Sequence, residues 1–277
     1  MKQKKIDVSF VIIEYHSLDD VLVCVDSIKR NTSNFNYEIV ISSNSRYEDS
    51  KQEELRTKRP DIIWSFNEEN GGFAYGMNRG ISVTKGEFII LQNPDTTVQN
   101  NQLSNVLDYL RQNEDVGILG PQIRNNAGEV QDTCRPFLTP RMIVSRLVKR
   151  KIYKKGAILD NAFNYNEIQS VDWVIGAYMI TSRKSLEKVG LLNERFFMYV
   201  EDMEWCLRFW EKGLKVVYYP PLVINYEGDR KSTLGKKSKL LPFSFNKYTR
   251  IHLKNYSIFL KEHGRKIRNL RTSIVSD

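Results

Sequence analysis

Asp95 and the carboxylates of residues 201–204 are the side chains best suited to do chemistry in this chain. Asn93-Pro94-Asp95 directly follows the apolar run Phe88-Ile89-Ile90-Leu91. That order sets a carboxylate at the mouth of a buried strand, where a hard divalent cation and a diphosphate could meet. Such a cation takes only one or two protein carboxylates and completes its shell with phosphate oxygens and water. Glu201-Asp202-Met203-Glu204 follows Phe196-Phe197-Met198-Tyr199 and sets three carboxylates in four positions. Adjacent carboxylates repel, so one is pushed toward the raised pKa that suits a general base. A helix starting there gathers Glu201, Glu204 and Arg208 on one face and turns Asp202 elsewhere, toward a cleft. A metal-held diphosphate and a base are parts of a transferase acting on a nucleotide-activated substrate. Taken singly, each segment also fits a structural role. Asn-Pro-Asp is good turn chemistry, and acids in a first turn balance a helix dipole.

A third segment, Asn70-Gly71-Gly72-Phe73-Ala74-Tyr75-Gly76-Met77-Asn78-Arg79-Gly80, has glycines that let backbone approach a ligand closely. A helix N-terminus after glycines favours phosphate, and Asn78 and Arg79 are candidates to bond a diphosphate or sugar. The spacing is neither a dinucleotide fingerprint nor a Walker loop. A glycine-rich connection to an ordinary helix explains the same residues.

These groups need elements to hold them. Val8–Ile13, Glu38–Ser42, Ile62–Phe66, Glu87–Leu91 and Val116–Leu119 read as short buried strands. Helical patterns follow Ser17, the expected cap, and run over Gly76–Val83 and Leu103–Arg111. Later, Val174–Thr181 reads as a strand, Asp202–Lys212 as a helix, and Lys215–Tyr219 as a strand ended by Pro220-Pro221. Strands alternating with helices predict an α/β fold with parallel βαβ units. Ligands of such sheets bind beyond the carboxyl ends of the strands, where Glu14–Ser17, Ser43–Ser45 and Asn93–Asp95 converge.

The 277 residues can bury a sizeable core. Cys24, Cys134 and Cys206 match no zinc or disulfide pattern, so small core residues in a reducing compartment are expected. No run approaches the ~20 apolar residues of a membrane span, and the basic N-terminus leads into a strand pattern rather than a signal peptide. Charge is uneven. Residues 230–277 carry 13 Lys+Arg against two acids, while residues 1–229 carry 29 against 31. The body, 1–229, is therefore expected to be one domain, with a nucleotide half at 1–120 and an acceptor half at 121–229. Residues 230–277 form a basic helical extension. Its mixture of cations with Phe245, Tyr248, Tyr256 and Phe259 suits an anionic membrane surface, and the Met142–Lys155 stretch could assist. A helix packing its apolar side on the main domain suits the same residues. Nucleic acid is not expected, because no recognised motif accompanies the charge.

In order and spacing the chain resembles the inverting glycosyltransferases of family 2, which have a GT-A fold. It looks most like the rhamnosyltransferase-like members that build bacterial cell-surface polysaccharides. The resemblance runs from Val8 to Gly228. It rests on Val8–Ile13, Glu38–Ile41, the Gly72–Gly80 segment, Asn93-Pro94-Asp95, Trp173-Val174-Ile175-Gly176-Ala177 and Glu201–Arg208. It implies that Asp95 holds Mn²⁺ or Mg²⁺ on the donor diphosphate and that Asp202 is the general base. Glu201, Glu204 and Arg208 would shape the catalytic site. The donor would lie against Glu14, Ser43, Gly72, Asn78, Arg79, Asn93 and Asp95, with Gly176 and Ala177 as a tight floor.

Four positions depart from the family pattern. Ser43 stands where an Asp usually contacts the nucleotide, and Glu14 and His16 stand where Thr and Asn are common, so Glu14 is expected to supply the missing carboxylate. Asn225 stands near where a His often completes the metal site; Asn225 or Glu227 offers oxygen instead. The implied donor is a nucleotide-sugar, dTDP-L-rhamnose as leading guess, and the acceptor a saccharide or polyprenyl-linked saccharide. The implied place is the cytoplasmic face of the plasma membrane. A non-catalytic binding relative is the alternative that Ser43 and Asn225 favour.

Overall fold

The computed structural model describes residues 5–137, 163–226 and 247–274. The Met142–Lys155 stretch and Glu227 lie outside the described residues. The strands are β1 (Val8–Glu14), β2 (Tyr37–Ser43), β3 (Ile63–Phe66), β4 (Phe88–Gln92), β5 (Thr96–Val98) and β6 (Val116–Arg124). They continue with β7 (Cys134–Arg135), β8 (Gln169–Ser170), β9 (Trp173–Val174), β10 (Tyr178–Ser182) and β11 (Lys215–Tyr226). The helices are α1 (Leu18–Asn31), α2 (Asp49–Lys58), α3 (Phe73–Ser82), α4 (Leu103–Gln112), α5 (Arg183–Val189), α6 (Glu201–Glu211) and α7 (Lys247–Ile274).

The main sheet runs β3-β2-β1-β4-β10-β6-β11-β5, with β8 beside β11, and β7 pairs with β9 in a second small sheet. Alternation along the strands explains its two cores. Phe10, Ile12 and Ile90 pack one face against α1 and α4. Val11, Ile89 and Leu91 pack the other against α3, α5 and α6. A third, smaller core joins Phe196, Val200, Met203 and Leu207 to Phe259 and Ile267 of α7. All three cysteines are buried and free, as expected.

Four local readings change. The sheet is mixed, because β10 enters antiparallel between β4 and β6. The expected strand at 174–181 is broken at Ile175-Gly176-Ala177 into β9 and β10, which lie in different sheets. β11 does not stop at Pro220-Pro221: its ladder with β6 is interrupted there, since proline has no N–H to give, and resumes at Val223. Helix α3 starts at Phe73, not Gly76. Gly76 and Gly80 lie inside it, where Cβ atoms would press on Ile13 and Val11, so these glycines let α3 settle on β1.

Ser17 precedes α1 but its side chain makes no cap bond. Its N–H instead donates to Glu14 Oε1 at 2.9 Å, so the helix entrance is tied to the strand before it.

Candidate active site

The carboxyl ends of β1, β2 and β4 bring the first group of residues together. Glu14 is 0% exposed and collects four donors. Ser43 Oγ reaches Oε2 at 2.5 Å, while Ser45 Oγ (3.0 Å), Tyr47 Oη (3.1 Å) and the Ser17 N–H (2.9 Å) reach Oε1. Glu14 and Ser43 are thus joined, as the exchange of acids between these positions requires. Full burial, however, makes the carboxylate an organiser of hydroxyls rather than a direct contact. His16 sits at the tip with φ 52 and its ring against Tyr15.

Next to this cluster, the Asn93 N–H donates to the Ala177 carbonyl at 2.9 Å. Thr96 Oγ1 closes a turn on the Asn93 carbonyl at 2.7 Å. Asp95 stands exposed at that turn. The turn reading of Asn-Pro-Asp therefore holds, with the Asp95 side chain on its exposed side. β5 then pairs antiparallel with the end of β11, setting Asn225 opposite Thr97. Asn225 Nδ2 donates to the Asn125 carbonyl at 3.2 Å, which leaves its oxygen as the atom suited to a cation. Among the described residues no three His, Cys, Asp or Glu side chains group together as a metal cage. One exposed carboxylate with an amide oxygen fits a hard cation completed by phosphate and water.

The second carboxylate arrives through the β9–β10 break. Gly176 N–H donates to Asp202 Oδ2 at 2.8 Å, and Met203 N–H donates to Oδ1 at 2.8 Å. A Cβ at Gly176 would lie 3.3 Å from the Phe73 ring and 3.4 Å from Asp202 Cβ, so this floor is tight. The hydrogen-bonded path from Asn93 through Ala177 and Gly176 to Asp202 links the two candidate chemical groups in one place.

Glu201, which precedes Asp202, is buried among apolar groups. Burial, and secondarily the neighbouring Asp202 charge, push its carboxyl well above the ordinary carboxylate range. The raised acid of the pair is therefore Glu201, while Asp202 is the one beside the tight floor.

Several expected site residues are engaged elsewhere. Asn78 is 3% exposed, and its Nδ2 donates to the Leu192 carbonyl (2.9 Å) and Glu194 (2.8 Å), while its Oδ1 accepts from Leu192 N–H (3.1 Å). It fastens the loop before α6, with both amide hydrogens spent there. Glu204 holds Arg208 at 3.0 Å, and Arg208 donates to the carbonyls of Val189 (3.0 Å) and Leu191 (2.7 Å). This pair ties α6 to the Val189–Leu191 segment. Gly72 has φ 93, and a Cβ there would overlap the Phe197 carbonyl. Its close approach is to the chain's own backbone. Arg79 is exposed, with its guanidinium 4.5 Å from the Tyr75 ring.

Sequence reasoning missed Tyr47 and placed Asn44 and Ser45 only within the converging Ser43–Ser45 segment, without roles. Asn44 accepts from Asn67 (2.8 Å) and donates to the Gly72 carbonyl (3.1 Å), joining β2 to the glycine segment. The polar run Ser42–Ser45 directly after a buried strand was the available signal.

Residues 9–189, well over half of the chain, match Glycosyl transferase family 2, and the chain belongs to that family. Its fold is GT-A. It superposes on GalNAc-T7, crystallised with UDP, GalNAc and Mn²⁺, with TM-score 0.59 at 14% identity, covering 82% of this chain and 44% of that one. It also superposes on the mannosyltransferase PcManGT of Pyrobaculum calidifontis, in complex with GDP-Man and Mn²⁺ (TM-score 0.54, 16% identity, 83% and 62% covered).

In sequence it is similar to the low-salt glycan biosynthesis hexosyltransferase Agl10 of Haloferax volcanii, 26% identical over 76% of this chain and 64% of that protein. It is 25% identical to the rhamnosyltransferase WbbL of Escherichia coli, over 60% of this chain and 66% of that protein. The chain spans less than two thirds of the length of each of these relatives.

Proposed function

We propose that this chain is an inverting glycosyltransferase that moves a sugar from a nucleotide-sugar to a saccharide or polyprenyl-linked saccharide, with dTDP-L-rhamnose as the leading donor. The observation that carries the reading is the continuous path Asp95–Asn93–Ala177–Gly176–Asp202, which joins an exposed carboxylate suited to a cation with one suited to a base. Asp202 accepts the proton of an acceptor hydroxyl, whose oxygen attacks the anomeric carbon. The bond to the nucleoside diphosphate breaks as the new one forms, inverting the configuration. Asp95, with Asn225 opposite Thr97 on the neighbouring strand, would hold Mn²⁺ or Mg²⁺, which would neutralise charge on the departing diphosphate. Tyr47, partly exposed and bonded to Glu14, presents its hydroxyl on the nucleotide side, with Ser43 and Ser45 buried behind it. The rhamnosyltransferase relative supports the choice of sugar.

The test is release of nucleoside diphosphate from dTDP-rhamnose, with Mn²⁺ and a lipid-linked saccharide acceptor. Turnover that needs both additions supports the reading. Donor binding with no release would instead make this a binding protein.

The reading extends to the inner face of the plasma membrane. No helix among the described residues is long and apolar enough to cross a membrane. Phe259 and Ile267 of α7 are spent on the core, so contact would come from exposed Lys247, Arg250, Lys254 and Lys261 acting on anionic lipid. Replacing these four by Gln should abolish binding to anionic vesicles; unchanged binding would refute the membrane contact.

A further inference from the structure

The turn before Asp202 is held in a conformation that its own residues disfavour. Tyr199 has φ 69 and Val200 φ 80. Neither is glycine, and a β-branched residue in the left-handed region is strained unless its surroundings impose it. Val200 nonetheless carries the first turn of α6, its carbonyl accepting the Glu204 N–H at 2.8 Å.

The surroundings that impose it come from two distant parts of the chain. On the donor side, the Phe73 N–H at the start of α3 donates to the Phe197 carbonyl at 3.0 Å. On the opposite side lies α7. Asn255 is 5% exposed, and its Nδ2 donates to the carbonyls of Met198 (2.9 Å) and Tyr199 (3.4 Å). The His252 ring stacks on Tyr199, with centroids 5.1 Å apart and planes 20° apart. Phe259 and Ile267 bury Val200 and Met203 from the same helix. A buried amide aimed at two carbonyls of a strained turn is a specific device, distinct from apolar docking.

We infer that Asn255 is a positioning residue for the base: from the C-terminal helix it locks the Tyr199–Val200 turn and so aims Asp202 at Gly176. α7 then completes the catalytic site rather than merely adding charge to it. The inference rests on the reading of Asp202 as base, since only then does its aim matter to turnover.

Asn255→Ala removes both bonds. Displacement of a reacting group by about 1 Å costs roughly 100-fold in rate, so kcat should fall roughly 10- to 100-fold while the donor KM stays within about twofold. Asn255→Asp, which keeps the shape but turns acceptors toward carbonyls, should lose at least as much. His252→Ala should lose less, in the same direction. Val106→Ala loosens the core under α4, on the other face of the sheet and away from the turn, so it should lower the thermal midpoint and leave kcat near wild type. Equal kcat losses in Val106→Ala and Asn255→Ala would overturn the inference, as would an unchanged kcat in Asn255→Ala. Amide exchange by mass spectrometry gives a readout independent of turnover. Peptides covering Gly176 and Tyr199–Glu204 should exchange faster in Asn255→Ala, with β1 and β4 unchanged. Should the wild type transfer no sugar, the proposed function falls, and exchange alone decides whether Asn255 holds the turn; unchanged exchange there would refute it.

Discussion

Glu14 and Glu201 are both buried carboxyls beside the proposed site, yet their surroundings differ in kind. Glu14 has hydroxyls from Ser43, Ser45 and Tyr47 and a backbone N–H from Ser17 around it. Glu201 faces only backbone N–H groups of its own turn, and its Oε2 has no partner among the described residues. A buried carboxyl must replace the water it loses or give up its charge. Glu14 has four donors in place of that water. Glu201 takes the second course, with its pKa pushed up by burial. Its raised pKa lessens the negative charge held beside Asp202. The Glu14 end is thus built from satisfied bonds, and the Glu201 end from burial and a strained turn.

The sharpest break in that comparison is chemical. Asp202→Asn should cut kcat by roughly 100- to 10,000-fold, the range for loss of a general base, while calorimetry with donor nucleotide shows nearly unchanged affinity. Parallel loss of rate and affinity would move Asp202 to the nucleotide side. Glu14→Gln comes next. An amide sets donors against donors, so it should cost about 1–3 kcal/mol in denaturant unfolding and weaken nucleotide binding as well. A variant as stable as wild type would mean that the four bonds do not organise the site.

The smallest effect is the most diagnostic. Replacing a protonated Glu201 by Gln should change stability by less than about 1 kcal/mol near pH 5, because one neutral group replaces another of similar shape. Above the ordinary carboxyl value of 4.5 the unfolded chain releases a proton that the folded chain keeps. Stability of the wild type therefore falls as pH rises toward the raised folded value, through this group. Glu201→Gln should flatten that slope and gain on wild type toward neutral pH. An unaltered slope would place the raised pKa on another group.

The contrast also decides what could be read from the chain. Val8–Ile13 and Phe88–Leu91 announced themselves because strands buried on both faces are continuous apolar runs. Asp95 and Asp202 followed from their places beside such elements. α2 gave no signal because only Leu55 is buried along it, so its sequence has no apolar stripe. β5, three residues long, gains its place only from pairing with β11. The antiparallel entry of β10 depends on a break at Gly176 that reads locally as one strand.

Asn78 looked like a ligand because polar residues in glycine-rich segments often are, yet its partners lie more than 100 residues away. Asn255 was hidden for the same reason. The tail was legible as charge, whereas its docking through Phe259, Ile267 and the buried Asn255 amide was not.

The most direct test is the thermal shift given by dTDP with Mn²⁺ on three proteins: wild type, Asp95→Ala and Asp202→Asn. A ligand that binds only the folded chain raises its midpoint. If Asp95 belongs to the donor diphosphate and Asp202 to the acceptor, wild type and Asp202→Asn shift alike and Asp95→Ala does not. An equal shift in all three, or a loss confined to Asp202→Asn, would contradict that division of the site.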